Sequence, residues 1–159
     1  MKLSANEEYG LRCLVRIGYA GFAGEGLTIP EISHAEGVSP AYAAKILRVL
    51  RKGGFVKAAR GKDGGYTLAR PAEAIVIGDV MEALGGRLFE SGFCDSHSGA
   101  VAICTRSVDC SVRSLWRAVQ VAVDQVLRKA TLRDLLQNEE EMNSWVRTIP
   151  GPNGLRLLQ

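Results

Sequence analysis

Three of the four cysteines lie in one segment without helical or strand periodicity. They are Cys94, Cys104 and Cys110, within residues 87–110, whereas Cys13 lies on the first predicted helix. Thiolates gathered in one loop are typical ligands of a soft metal centre. No C-x-x-C pair is present, which argues against a zinc ribbon. The gaps of nine and then five residues between these cysteines fit a loop that wraps around a group larger than a single metal ion. The segment therefore predicts an iron–sulfur cluster, either 2Fe–2S or 4Fe–4S.

Two metal-free interpretations of these cysteines stay open. The thiols are then either unligated or form a redox switch of two cysteines, Cys104 and Cys110.

The first residues are too polar for a signal peptide, and no apolar run approaches the ~20 residues that cross a bilayer. We therefore expect a cytoplasmic protein, where thiols stay reduced and a structural disulfide framework is disfavoured.

Residues 28–68 have the order helix, turn, helix and β hairpin. A capping box at residues 28–31 starts the first helix of this unit. Ser39 can cap the second helix, which we expect to run from Pro40 to about Lys52. Two strand-like runs then flank a glycine-rich tip at residues 60–65. This order is typical of a winged helix-turn-helix, whose second helix enters the DNA major groove. The predicted fold is mainly α with a small β wing (α+β).

Charge is concentrated on the same unit. Residues 45–62 contain seven lysines and arginines and no acidic residue. Residues 1–70 carry eleven basic against six acidic side chains, and residues 71–159 carry nine against eleven. A solvated helix face would explain the basic residues of a lone helix. Their coincidence with the predicted recognition helix and wing favours nucleic-acid binding instead.

The remaining periodicity predicts helices at about residues 4–22, 77–84 and 111–129. On the last of these, apolar residues recur every three or four positions and form a seam wide enough for a second copy of the helix. Packing of the seam against its own domain is the alternative. We expect a two-fold dimer that binds a roughly palindromic site.

The predicted organisation has four parts. Residues 1–86 form the winged helix-turn-helix, 87–110 the cysteine-bearing loop, 111–136 the dimerisation helix with the helix after it, and 137–159 a C-terminal tail. The helix after the dimerisation helix is capped at residues 131–134 and is expected to end in the glutamates at 139–141.

On these motifs the chain resembles the IscR/NsrR-type family of bacterial winged-helix regulators, many of which are dimeric and carry an iron–sulfur cluster. The matching stretches are MKLS from residue 1, VSPAY from 38, RGKDGGYTL from 60, CSVRSLW from 110 and TLRDL from 131. The resemblance extends to about Leu136.

The resemblance implies that Cys94, Cys104 and Cys110 ligate the cluster. In the cluster-biosynthesis branch a histidine follows the third cysteine by three positions, where this chain has Arg113, which cannot ligate. In nitric-oxide- and redox-sensing branches, an acidic residue near position 8 of the partner supplies the fourth ligand, which here is Glu8. A carboxylate is a hard, weakly held ligand among thiolates. A glutamate favoured by the helix macrodipole is the other explanation of Glu8.

Two histidines are further candidates for the fourth ligand. His34 lies one residue out of register with a histidine ligand of a related redox sensor, and we interpret it as a surface residue. His97 lies inside the cysteine segment. The first cysteine gap is longer than is usual in the family. Cys13 is interpreted as a small core residue.

The resemblance also implies seven DNA contacts. They are Ser39, Ala41, Tyr42, Lys45 and Arg48 at the major groove, and Arg60 and Lys62 of the wing at the minor groove or its phosphates.

The resulting hypothesis is a homodimeric transcription regulator, most simply a repressor, that binds double-stranded operator DNA. An iron–sulfur cluster that senses redox state, nitric oxide or iron–sulfur status would control its DNA affinity. The alternatives are a metal-free thiol-switch regulator and a winged helix that binds protein only. The sequence has no paired carboxylates, nucleophile–base set or phosphate loop, so we expect neither an enzyme nor a small-molecule substrate.

Overall fold

The structure, a computed structural model, describes residues 3–59, 64–89, 92–98, 103–104, 106 and 108–149 of the 159-residue chain. Within these ranges it is mainly helical with one two-stranded sheet, as predicted. The helices are α1 (Ala5–Phe22), α2 (Ile29–Glu36), α3 (Pro40–Lys52), α4 (Ile77–Gly85), α5 (Phe93–Ser96), α6 (Ser111–Leu127), α7 (Leu132–Leu135) and α8 (Glu139–Thr148). The strands are β1 (Val56–Ala59) and β2 (Gly65–Leu68), and a single 3₁₀ turn spans Ala72–Ala74.

The helix-turn-helix is formed by α2 and α3 and by the caps predicted for them. Thr28 and Glu31 form the capping box of α2. Gly37 then adopts a left-handed φ of 66°, which glycine tolerates without steric cost. The Ser39 hydroxyl accepts a hydrogen bond from the Tyr42 amide at 3.2 Å and starts α3. These local interactions fix the turn between the two helices.

One hydrophobic core supports this unit. It is built where α1, α3 and α4 pack together, with contributions from α2, β1 and α7. Its fully buried large side chains are Leu14, Ile17, Ile32, Ile46, Leu47, Leu50, Val56, Ile75, Val80 and Leu132. Burying one such side chain contributes about 1.5–3 kcal/mol, so the core holds the recognition helix in a fixed orientation.

The wing is an antiparallel pair in which Val56 lies opposite Leu68 and Ala59 opposite Gly65. Leu27 and Tyr66 exchange two backbone hydrogen bonds, of 3.0 and 2.7 Å, which join the wing to the segment before α2. A Cβ at Gly65 would lie 2.8 Å from the backbone of Gly26. The close approach therefore requires glycine at the start of β2.

Helix α6 is attached to the rest of the chain mainly through its C-terminal half and through the residues that follow it. The Ile77 amide donates to the Ala130 carbonyl, and the Leu132 amide donates to the Ile75 carbonyl, each at 2.8 Å. Gln120 accepts a hydrogen bond from the Phe89 amide at 2.9 Å, and Asp124 forms an ion pair with Arg87. Large apolar side chains nearer the N-terminal end stay exposed: Val112, Leu115 and Trp116.

The structure differs from the sequence prediction in two places. The segment 87–110 was expected to lack secondary structure, but it contains the single turn of α5. The helix expected to end at the glutamates 139–141 instead stops at Leu135, and α8 begins at Glu139 inside the predicted tail. Asn138 and Glu141 form a capping box there, and glutamates favour the first turn of a helix. No helix in the described ranges is sufficiently long and apolar to cross a membrane.

Candidate nucleic-acid interface and cysteine segment

The outer face of α3 is basic and exposed. Its inner face buries Ala43, Ile46, Leu47 and Leu50 in the core. On the outer face Ser39, Ala41, Lys45 and Arg48 are exposed to solvent, as are Arg51 and Lys52 in the last turn. The structure thus places four of the five predicted major-groove residues on one open surface. Cations on such a surface can bind phosphates, and the hydroxyl and methyl groups can reach base edges.

Tyr42, the fifth predicted major-groove residue, is half-buried and contacts α1. Its hydroxyl donates a hydrogen bond to Asn6 Oδ1 at 2.9 Å. Its ring lies edge-on to Tyr9, with 6.0 Å between ring centroids. Tyr42 therefore links the first turn of α3 to the first two turns of α1. This long-range pair is not apparent from the sequence pattern.

The wing carries one further exposed cation in the described part of β1, Lys57. Arg60 and Lys62, predicted to reach the minor groove or its phosphates, lie outside the described residues.

Replacing both Lys45 and Arg48 with alanine is expected to weaken DNA binding roughly tenfold to a hundredfold. The slope of the logarithm of the binding constant against the logarithm of salt concentration should become shallower by about 2, because each lost phosphate contact lowers its magnitude by about 1. The measurement is fluorescence anisotropy at several salt concentrations, with a duplex selected by the native protein from a random pool. The charge-matched control replaces Arg117 and Arg147, exposed residues of α6 and α8. Equal losses in both double variants would contradict the placement of the interface on α3.

An ion cluster around the buried Glu36 joins α1 to the helix-turn-helix. Glu36, at the last position of α2, has a side chain only 5% exposed. Its two oxygens accept hydrogen bonds from Nε of Arg12 and Nε of Arg16, each at 2.9 Å. A carboxylate at a helix C-terminus is opposed by the macrodipole, and burial adds a desolvation cost. The two guanidinium groups offset both costs.

Sequence reasoning did not identify this cluster. The only local indication is that Arg12 and Arg16 stand four residues apart on α1, where they share a face. Nothing in the sequence pairs them with a glutamate twenty or more positions later. The cluster connects α1, which carries Glu8, to the turn that precedes α3.

The cysteine segment contains three half-buried thiols, and no disulfide joins them. Cys94 lies on α5. Cys110 is the N-cap of α6, and its Sγ accepts a hydrogen bond from the Arg113 amide at 3.3 Å. Hydrogen bonds to ligand sulfurs are one of the means by which proteins tune an iron–sulfur centre. Cys104, which lies between these two cysteines in the sequence, is half-buried as well.

The described part of a single chain does not bring these cysteines together with a fourth ligand. No group of three or more His, Cys, Asp or Glu side chains among the described residues could hold a metal ion. Glu8 is exposed in the first turn of α1, and His34 is exposed near the end of α2. The donor set still fits a soft centre, since three accessible sulfurs share one segment. The ligand assignments remain predictions.

Cys13 differs from the other cysteines because it is fully buried in the core. Burial, and secondarily the negative charge of Glu36, raises the pKa of its thiol from 9.0 to about 11. The thiol therefore stays protonated near neutral pH and is neither a ready ligand nor a ready nucleophile. The interpretation of Cys13 as a core residue is confirmed.

The raised pKa of Cys13 predicts a loss of stability at alkaline pH. Between pH 9 and about 11 the thiol ionises in the unfolded chain but not in the folded one. The folded chain then binds more protons, so the free energy of unfolding falls across this window and is unaffected below it. Urea unfolding of the native chain and of Cys13→Ala measures the effect. An equally steep fall in the variant would contradict it.

The fold and the exposed basic face of α3 define a winged helix-turn-helix DNA-binding protein. A family model described as "Rrf2: Iron-dependent Transcriptional regulator" matches residues 3–138. The chain belongs to this Rrf2 family of transcriptional regulators. The resemblance inferred from the motifs is confirmed, and so is the expectation that the function is not enzymatic.

Individual relatives agree with the family assignment. The protein named rrf2 of Nitratidesulfovibrio vulgaris is 35% identical over 138 residues, which are 87% of this chain and 89% of the relative. The structure of T. potens IscR is 31% identical, covers 86% of each chain and has a TM-score of 0.66. The oxidized form of Staphylococcus aureus CymR is 28% identical, covers 87% of this chain and 98% of its own, and has a TM-score of 0.61.

Proposed function

We propose that this Rrf2-family regulator is a homodimeric repressor whose operator affinity depends on an iron–sulfur cluster bound by Cys94, Cys104 and Cys110. The candidates for the fourth ligand are Glu8 of the partner subunit, His34 and His97. The operator is a roughly palindromic duplex, because a two-fold dimer presents two α3 helices related by the same symmetry.

The observation that carries the cluster proposal is the contrast among the four cysteines. Cys13, outside residues 87–110, is fully buried and its thiol stays protonated, whereas the three cysteines inside this segment are only half-buried. A soft iron centre needs accessible sulfurs of this kind. The description of the family as iron-dependent and the similarity to T. potens IscR support the same proposal.

The uncovered seam of α6 supports the dimer. Val112, Leu115 and Trp116 recur at helical spacing and are exposed in the single chain. A crevice of about 610 Å³ continues this seam between α6, α1 and α4, and Leu3, Leu11 and Met81 are among the apolar residues that line it. A second copy of α6 offers a matching apolar stripe. The partner that we propose is therefore another copy of this chain.

The position of the cysteine segment suggests how its state reaches DNA. Residues 87–110 connect α4, in the DNA-binding unit, to α6, in the proposed dimer interface. Cysteines held at one centre restrict the conformations of this connection, and released cysteines restore them. Because half-sites lie about 34–36 Å apart, a change in the separation of the two α3 helices changes the affinity. A bound cluster supplies a centre whose redox state and integrity respond to oxidants.

Anaerobic purification tests this proposal. The expected sample is coloured, contains iron and acid-labile sulfide, and binds a selected duplex with an affinity that changes after exposure to oxidant. The absorption spectrum and the metal and sulfide analyses measure the cluster, and gel shifts measure the affinity. A sample that is colourless, and that stays free of iron and sulfide after reconstitution, would overturn the cluster proposal.

A metal-free thiol switch is the second candidate. The observation in its favour is that Cys104 and Cys110 are accessible free thiols in a chain similar to a CymR solved in an oxidized form. In this case Cys104 and Cys110 form a disulfide when two electrons pass to an oxidant such as peroxide. Mass spectrometry with thiol labelling before and after peroxide distinguishes the two candidates, because only the switch loses two labels without loss of metal.

A further inference from the structure

Helix α6 buries a polar side chain, that of Gln120. Among the residues of α6, all of which the structure describes, Gln120 is the one that is buried, with 7% of its surface exposed in the single chain. Both ends of its amide are paired. Oε1 accepts a hydrogen bond from the Phe89 amide, and Nε2 donates one to Oδ1 of Asp124, each at 2.9 Å. A buried glutamine costs free energy unless its polar atoms are paired, so its position requires both partners.

These contacts form a latch, defined as Gln120 and Asp124 of α6 together with Arg87. Gln120 and Asp124 are four residues apart and therefore share a face of the helix. The carboxylate of Asp124 accepts hydrogen bonds from Gln120 at Oδ1 and from Nη2 of Arg87 at Oδ2. Nη1 of Arg87 lies 3.6 Å from Oε2 of Glu82 on α4. The latch therefore holds the end of α4 and the first residues of the cysteine segment against α6.

The latch holds one end of α4, and close backbone contacts hold the other end. A Cβ added at Gly78 would lie 3.3 Å from the Leu127 carbonyl oxygen, so α4 and α6 nearly touch there. The Ile77 amide donates to the Ala130 carbonyl beside this contact. Because α4 also packs against α1 and α3, the two attachments set the orientation of the recognition helix α3 relative to α6.

We propose that Gln120 and Asp124 are positioning residues that transmit the state of the cysteine segment to α3. This inference rests on the proposed function and applies to a cluster and to a thiol switch alike. Phe89 lies five residues before Cys94, so a rearrangement of the cysteines acts on the hydrogen bond between Phe89 and Gln120. A closed latch fixes α4 on α6 at both ends, whereas an open latch leaves α4 held at one end. The two arrangements differ in the orientation of α3 and therefore in operator affinity.

Two substitutions remove the latch in different ways. Gln120→Leu removes both hydrogen bonds and keeps a side chain of similar size. Asp124→Asn keeps an acceptor for Gln120 but removes the charge that binds Arg87. The matched control is Gln125→Leu, which makes the same change at an exposed position of α6.

Each chain is measured before and after peroxide in two ways. Iron, sulfide and thiol-label analyses report the state of the cysteine segment, and anisotropy with the selected duplex reports the operator affinity. A role that is only structural would lower the affinity in both states, whereas loss of transmission changes the ratio of the two affinities.

The native chain and Gln125→Leu are expected to change their operator affinity with oxidant by about 5- to 150-fold, the usual range of coupling between two sites. Gln120→Leu and Asp124→Asn should react with the oxidant as the native chain does, but their affinity should change by less than about twofold. The double variant should resemble each single variant, because residues of one hydrogen-bonded network do not act additively.

A native-sized change of affinity in Gln120→Leu would overturn the latch and leave the proposed function intact. The same holds if this variant no longer reacts with the oxidant, because the latch would then support the cysteine segment rather than transmit its state. If circular dichroism shows that Gln120→Leu does not fold, Asp124→Asn decides by the same two measurements. A native chain whose operator affinity does not respond to oxidant would overturn both proposals.

Discussion

Replacing Leu115 with glutamate is expected to turn the dimer into a monomer and to weaken operator binding at least about a hundredfold. Leu115 lies on the apolar seam of α6 and is 58% exposed in the single chain. In the dimer that we propose its side chain is covered, and a glutamate there would bury an unpaired carboxylate at a cost of several kcal/mol. A monomer binds one half-site instead of two. Loss of the second binding contact lowers the overall affinity by a factor of about 10²–10⁴.

The matched control for this substitution is Val121→Glu. Val121 is 55% exposed on the same helix, but six residues after Leu115 it lies on a different side at 3.6 residues per turn. This variant should stay dimeric and bind DNA normally. Sedimentation equilibrium measures the association state, and anisotropy with the selected duplex measures the affinity. If both variants stay dimeric, or if both dissociate, the seam of α6 is not the interface that we propose.

The parts of the fold that were predicted correctly depend on local interactions. The bounds of α3 are those expected, because Ser39, Pro40 and Gly53 cap, start and end the helix within its own neighbourhood. The capping box of α2 is equally local. Local hydrogen bonds of this kind can be inferred from a few adjacent residues.

The parts that were missed depend on position or on distant residues. The glutamates at 139–141 were assigned to a helix end, yet after Asn138 the same residues favour a helix start. The bond between Tyr42 and Asn6 and the ion pairs of Glu36 join residues far apart in the sequence. Pattern and spacing do not identify such pairs, because only the packed fold places them together.

The cysteine segment shows a further limit on what sequence can establish. The residue types indicate a soft metal centre, but the relative positions of the proposed ligands depend on the packing of residues far apart in the sequence. From the sequence, His97 is one of three candidates for the fourth ligand, with Glu8 and His34. Its hydrogen bond to Phe93 and its stacking on the same residue are features of the folded turn that no pattern in the sequence indicates.

Replacing Cys110 with serine is expected to reduce the iron and sulfide content of the anaerobically purified chain at least about tenfold, because a hydroxyl is a poor substitute for a thiolate at a soft centre. The operator affinity should then no longer change with oxidant. The start of α6 should be preserved, since Cys110 is its N-cap and serine is a preferred N-cap residue. Circular dichroism and thermal unfolding check that the helix and the fold persist.

The matched control for Cys110→Ser is Cys13→Ala, which removes a cysteine from the core rather than from the segment. This variant should keep its iron, its sulfide and its response to oxidant. Native-state thiol labelling should give the same labels as in the unchanged chain, because buried Cys13 does not react. If Cys110→Ser instead keeps its iron and its oxidant response, Cys110 is not a ligand. If iron is absent throughout and Cys110→Ser alone loses the response, the thiol switch replaces the cluster as the sensing device.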